Sequence, residues 1–161
     1  MIWFDEHDTD LAFDLFDRAL EISGSNVIAL CTSAVALAWS GSNDMAIERA
    51  QRALKVSPFD SLRYLSYQAI SGANFNLARY PEAVSAGRRA VESHPGFSVP
   101  YAYLAAAAFK AGQIEDARAT ARALLALDPS FTISRFQVTV GVNPAVFSMF
   151  AEAWREIGVP A

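Results

Sequence analysis

The sequence is short of nearly everything that catalysis or metal binding requires. Its one cysteine, Cys31, cannot close an internal disulfide, so the chain needs no oxidising compartment. Two histidines, His7 and His94, lie far apart. No GxxxxGKS/T, HExxH, GxSxG or paired-cysteine pattern occurs, which removes the common signatures of phosphate cradles, zinc hydrolases, serine nucleophiles and metal knuckles. No apolar run reaches the roughly 18 residues that a membrane-spanning helix requires. The opening MIWFDEHDTD has no basic segment ahead of an apolar one, so it does not read as a signal peptide. Basic excess is missing too: 13 Lys and Arg stand against 17 Asp and Glu, a formal net charge of −4. A nucleic-acid binder needs a basic face to neutralise phosphates, so nucleic acid is not an expected partner. Together these absences lead to the expectation of a bacterial-type cytoplasmic protein with no catalytic residues, no metal, no cofactor and no membrane partner.

What is present is apolar and helical. Hydrophobic residues make up 53% and charged residues 19% of 161, enough for a buried core and too apolar for disorder. Charge is uneven. Through residue 26, Asp5, Glu6, Asp8, Asp10, Asp14, Asp17 and Glu21 are opposed by Arg18 alone, while the remainder is slightly basic. Asp10, Asp14 and Asp17 share one helix face, which reads as solvated or as a dock for a basic partner. Around His7 the acidic residues are consecutive and do not converge as ligands should. His94 precedes Pro95 at a helix end, where an imidazole favours the negative end of the dipole.

Apolar and small residues recur at helical spacing, with breakers at regular intervals. Ala12, Phe16 and Ala19 precede Gly24; Ala46, Ala50 and Ala53 precede Pro58; Ala83, Gly87 and Ala90 precede Pro95; Ala117, Ala121 and Leu124 precede Pro129. The leading alanines are separated by 34, 37 and 34 residues. Each group is one stripe of a helix, small enough to let a neighbouring helix approach closely. A further helix precedes each of the last three, over Val27–Ser40, Ser61–Leu77 and Ser98–Ala111. Gly41 and Gly112 stand in the breaks between paired helices, and Ala78 occupies the place of a third glycine.

This pattern resembles the tetratricopeptide repeat. In the best copy Tyr101, Leu104, Ala105, Gly112, Ala117, Ala121 and Pro129 fall at family positions; Ala34, Gly41, Ala46, Ala50, Ala53 and Pro58 do so in the second, and Tyr67, Ile70, Ala83, Ala90 and Pro95 in the third. The third copy is three residues longer, and Asn74 occupies a normally apolar position. The resemblance implies an all-α, right-handed superhelical solenoid of antiparallel helix pairs, about three and a half repeats with a C-terminal capping helix. The array spans residues 1–129, with an incomplete first repeat at 10–24 and repeats at 26–58, 61–95 and 98–129.

The ends depart from the pattern. Asp10–Ile22 reads as a second helix without its first, although Ile2, Trp3 and Phe4 could cover some of its surface. Residues 130–142 form a connector, expected to be irregular, with a short helix near Phe131–Phe136 and a strand-like alternation of Val138, Val140 and Val142. Residues 143–161 read as a helix with Asn143 as N-cap, Pro144 in the first turn and Gly158 and Pro160 as the stop. Its apolar stripe, Phe147, Phe150, Ala151, Trp154 and Ile157, either caps the last repeat or docks on another chain. The segments LLALDPSFTISRF and NPAVFSMFAEAWREIGVP, with ARYPEAVSAGRRAV upstream, are similar to tetratricopeptide regions attached to bacterial class III adenylate and guanylate cyclases and to some winged-helix regulators. That similarity implies an accessory module of a signalling protein; no cyclase metal-binding aspartate motif is present.

In such arrays the first helix of each pair lines a concave surface. Carried across, the family register places Cys31, Val35 and Trp39 there from the second unit, Gln68, Gly72 and Phe75 from the third, and Ala106, Phe109 and Lys110 from the fourth. The lysine, asparagine and arginine set that clamps an acidic peptide terminus in other family members is mostly replaced by apolar or small residues. The expected groove therefore takes an amphipathic helix or an apolar extended segment, with Trp39, Phe75 and Phe109 as anchors and Gly72 and Ala106 as shallow spots. Alternatively, these residues pack within the solenoid or against the chain's own tail. The functional expectation is a non-enzymatic interaction module with a protein or peptide partner, an adaptor or regulatory region of a larger bacterial signalling protein. The competing expectation is a self-association element, a homodimer formed through the exposed N-terminal repeat.

Overall fold

The computed structural model describes residues 9–140 and 143–161. Ile2, Trp3, Phe4, His7 and Val142 lie outside the described residues. All regular structure among the described residues is helical: α1 (Thr9–Ile22), α2 (Val27–Ser40), α3 (Asn43–Val56), α4 (Arg63–Asn76), α5 (Tyr80–Ser93), α6 (Val99–Lys110), α7 (Ile114–Leu127), α8 (Ile133–Val140) and α9 (Pro144–Glu156).

Three helix pairs, α2 with α3, α4 with α5 and α6 with α7, are joined by turns of the same construction. After α2, Ser42 N–H reaches back to the Leu37 carbonyl; Arg79 does the same to Asn74 and Gln113 to Ala108, each at 2.9 Å. This closure requires a left-handed residue just past the helix. Gly41 and Gly112 supply it at φ 91° and 78°, and Ala78 takes the same conformation at φ 56°. An alanine pays for that geometry through its Cβ, so Ala78→Gly is expected to raise stability by about 0.5–1 kcal/mol. The urea midpoint should rise with an unchanged slope; an equal or lower midpoint would show the turn unstrained.

The small-residue stripes read from the sequence are the contact faces. Ala46, Ala50, Ala53, Ala83, Ala90, Ala117, Ala121 and Leu124 are all buried. Asn74 is buried as well, and its Nδ2 donates to the Ile70 carbonyl at 2.8 Å, which satisfies an amide in an apolar position. In α1 the equivalent stripe, Ala12, Phe16 and Ala19, is half-buried, and Leu11, Leu15 and Ile22 point outward. Of the acidic face on this helix, Asp10 and Asp14 are exposed and Asp17 pairs with Arg49 of α3 at 2.5 Å. His94 ends α5 and lies against the rings of Tyr64 and Phe97.

The connector is more regular than its sequence reading. Helix α8 continues to Val140, so the alternation of Val138 and Val140 belongs to a helix and not to an extended strand. Thr132 starts it, its Oγ1 accepting from Arg135 N–H at 3.1 Å, and the buried Ile133 and Phe136 set a helical face. Period-two valines lose here because no neighbouring strand exists for Val138, 66% exposed, to pair with among the described residues. Helix α9 follows with the expected signals: Asn143 Oδ1 accepts from Ala145 N–H at 3.0 Å, and Gly158 at φ 86° ends it. The chain then returns to α8, where Ile133 N–H donates to the Pro160 carbonyl at 2.9 Å.

Candidate interaction groove

The first helices of the three pairs, α2, α4 and α6, pack side by side and share one face. Each contributes residues one or two helical turns apart: Val35 and Trp39 from α2, Gln68, Gly72 and Phe75 from α4, and Ala102, Tyr103, Ala106, Phe109 and Lys110 from α6. At Gly72 the missing side chain matters spatially. A Cβ there would stand 2.9 Å from Cε1 of Tyr103, so the glycine lets the tyrosine ring lie over α4.

Into this surface the chain lays α9. Phe150 stacks on Phe75 with ring centroids 4.0 Å apart, and meets Trp39 at 5.1 Å and Tyr103 at 5.4 Å. One turn on, Trp154 is fully buried, donates its indole N–H to the Ala102 carbonyl at 2.8 Å and meets the edge of Phe136 at 5.2 Å. Polar contacts hold both ends of the helix. Lys110 pairs with Glu152 at 3.2 Å, and Asn143 Nδ2 donates to the Ser40 carbonyl at 3.4 Å. Offset and edge-on ring pairs of this kind add to the large apolar area buried.

Of the residues the family register assigns to the groove, Trp39, Phe75, Gly72, Gln68 and Ala106 are buried, Phe109 and Val35 are half-buried, and Lys110 sits at the rim. Trp39, Phe75, Ala106 and Phe109 belong with α9 to one cluster. Cys31 lies apart, packed with Leu30 and Ala53 among Leu20, Leu62 and Leu65. Tyr103 and Phe136 are absent from the set that the register assigns. For Tyr103 the only local signal is its place in a run of small residues, opposite a glycine on another helix.

Burial pushes the Cys31 thiol up to about 11, with the charge of Asp60 adding to the effect. Burial likewise raises the Tyr103 phenol, opposed in part by Gln68 and Trp39 beside its hydroxyl. Both groups are protonated more firmly in the folded state than in the unfolded chain. For the thiol, the stability this carries is complete below its unfolded value of 9.0 and is lost as pH rises through about 11. The urea midpoint is therefore expected to fall across that window and to fall less in Cys31→Ala; an unchanged slope in the variant would exclude the thiol as a contributor. A thiol reagent should modify native Cys31 only as fast as the chain opens.

The groove holds no nucleophile beside a base, and among the described residues no cluster of His, Cys, Asp and Glu could hold a metal ion. A second depression of about 450 Å³ lies where α1 meets α3, lined by Asp17, Leu20, Glu48, Arg49 and Arg52 among others, with Asp17 paired to Arg49. No described helix is long and apolar enough to cross a membrane.

No protein-family model matches the chain, and no curated protein matches it. Solved structures do. TTC0263, a thermophilic TPR protein of Thermus thermophilus, superposes with a TM-score of 0.70 at 21% identity, over 93% of this chain and 75% of that one. MamA superposes with a TM-score of 0.66 at 18% identity, over 97% of this chain and 94% of its own. With paired helices, small-residue stripes and left-handed turns in register, the chain has the all-α tetratricopeptide-repeat solenoid fold.

Proposed function

We propose that the chain is a non-catalytic protein–protein interaction module whose concave groove takes an amphipathic helix, with α9 as its resident occupant. The observation that carries this reading is Phe150, stacked on Phe75 between Trp39 and Tyr103. A helix with aromatic anchors one turn apart is what this surface accommodates, and a partner with the same stripe competes for the same seat. Because α9 is tethered, it holds the groove at an effective concentration on the order of millimolar, so a partner must bind better than the tail or act when the tail is displaced. Such an exchange suits an adaptor or regulatory region of a larger bacterial signalling protein acting in the cytoplasm, the role implied by the likeness of the tail to cyclase-associated regions.

The test uses a fluorescent peptide of residues 143–161 against the whole chain. In Phe150→Ala the resident helix is weakened and the seat for one ring is open. The peptide is expected to bind that variant at least about tenfold more tightly than the parent. Equal affinity for both, or none for either, rejects the groove as an exchangeable site.

A second reading, self-association through the N-terminal repeat, draws on the outer face of α1. Leu11 and Leu15 are each 55% exposed and Ile22 88%. Molar mass by light scattering separates the two readings: mass rising with concentration, and returning to the monomer in Leu11→Ser/Leu15→Ser, would favour self-association.

A further inference from the structure

The outer side of α1 has no neighbour among the described residues. The helix packs on α2 and reaches α3 through the Asp17–Arg49 pair, while Leu11, Leu15 and Ile22 stay open to solvent. Ile28, in the first turn of α2, is exposed as well. At 3.6 residues per turn, Leu11, Leu15, Arg18 and Ile22 form one strip of α1, and Asp10, Asp14, Asp17 and Glu21 form a ridge along one side of it. Arg49 holds Asp17, but Asp10, Asp14 and Glu21 are exposed and make no ion pair among the described residues. The same is true of Asp44 and Glu48 on α3. Glu21 and Glu48 also line the depression of about 450 Å³ between the two helices, whose apolar lining is Leu20, Leu30 and Met45. Asp17, Glu21 and Glu48 against Arg49 and Arg52 leave its wall negative.

We propose that this edge is a docking site for a basic amphipathic helix of another protein. The apolar stripe of the partner lies on Leu11, Leu15 and Ile22, and a row of Lys or Arg on one flank meets Asp10, Asp14 and Glu21. The depression takes the aliphatic stem of one such side chain, with its charged head among the carboxylates of Glu21 and Glu48. Charge selects this occupant over the alternatives. A second copy brings four carboxylates and one arginine of its own α1 against the same set, so like charges crowd the joint. An anionic lipid surface is repelled by the same ridge. The first eight residues of the chain carry Asp5, Glu6 and Asp8 and no Lys or Arg, so they cannot supply the basic row. The edge is separate from the aromatic groove that α9 fills, and its use does not depend on whether that tail exchanges.

The deciding experiment uses two fluorescent peptides of roughly 18 residues, long enough to hold a helix. They share one leucine stripe and carry either Lys or Glu along its flank. The lysine peptide is expected to bind the whole chain at least about tenfold more tightly than the glutamate peptide, with an affinity that falls as salt rises. Asp10→Asn/Asp14→Asn/Glu21→Gln should weaken it about tenfold, and Leu11→Ser/Leu15→Ser should do the same. All five positions are exposed, so both variants keep the fold, which far-UV dichroism verifies. Equal binding of the two peptides, no binding of either, or a lysine peptide indifferent to the carboxylate variant overturns the proposal. Indifference to the leucine variant overturns it too, since the contact is then unspecific charge attraction. Each other occupant has its own signature, and each of these also overturns the proposal. For a second copy it is a mass that rises with concentration and returns to the monomer in Leu11→Ser/Leu15→Ser. For a lipid surface it is sedimentation of the chain with phosphatidylserine vesicles, lost in the same variant. For the chain's own first residues it is a gain of about tenfold in peptide affinity in Trp3→Ala/Phe4→Ala.

Discussion

Trp154→Ala is expected to destabilise the chain by about 3–5 kcal/mol and to release α9 from the concave surface. Trp154 is fully buried and meets Phe131, Phe136, Phe147 and Phe150, so truncation opens a cavity that four rings cannot close without moving. It also removes the hydrogen bond to the Ala102 carbonyl, which ties the tail directly to the backbone of α6. The loss should be local first. Helices α2 to α7 keep their small-residue contacts, so far-UV dichroism changes little while near-UV signal collapses and amide protection in α9 disappears. Trp154→Phe keeps most of the apolar area and loses the donor, and should cost about 1–2 kcal/mol. A Trp154→Ala variant within about 1 kcal/mol of the parent would mean that α9 is not anchored through this ring.

How far the sequence announces this arrangement depends on the range of the contacts involved. The helix pairs are legible because their signals are local. Ala46, Ala50 and Ala53 repeat as Ala83, Gly87 and Ala90, and the residue that must adopt positive φ is glycine at 41 and 112. Even Ala78, which breaks the glycine pattern, is placed correctly because the flanking stripe fixes the register. The caps of α9 are equally local, in Asn143 and Gly158. Its seat is another matter. Asn143 reaches Ser40 across a separation of 103 residues, a contact that depends on how the intervening helices stack and on no pattern in the tail. The valines of α8 mislead for the complementary reason: period-two spacing specifies a strand only when another strand is there to pair with it, and Thr132, Ile133 and Phe136 specify a helix without help.

Gly72→Val is expected to cost about 3 kcal/mol, because it strikes the contact that shapes the groove floor. Read from sequence, Gly72 is a shallow place for a ligand backbone; in the folded chain the ring of Tyr103 faces it. A Cβ at 72 would lie 2.9 Å from Tyr103 Cε1 and 3.7 Å from the Ala38 Cβ. The ring cannot retreat, since Trp39 and Phe150 hold it at 5.6 and 5.4 Å from other directions. Replacing glycine inside an exposed helix would ordinarily gain about 1 kcal/mol from propensity, so even Gly72→Ala, with the smallest clash, should come out destabilising here. Tyr103→Phe leaves Cε1 in place and should not rescue Gly72→Val, whereas Tyr103→Leu removes the clashing atom and should recover part of the loss. Urea midpoints for the two double variants check this coupling directly. Rescue by phenylalanine would mean the hydroxyl, and not the ring edge, is what Gly72 accommodates. No rescue by leucine would place the strain on α2, at Ala38, and shift the floor of the groove by one helix.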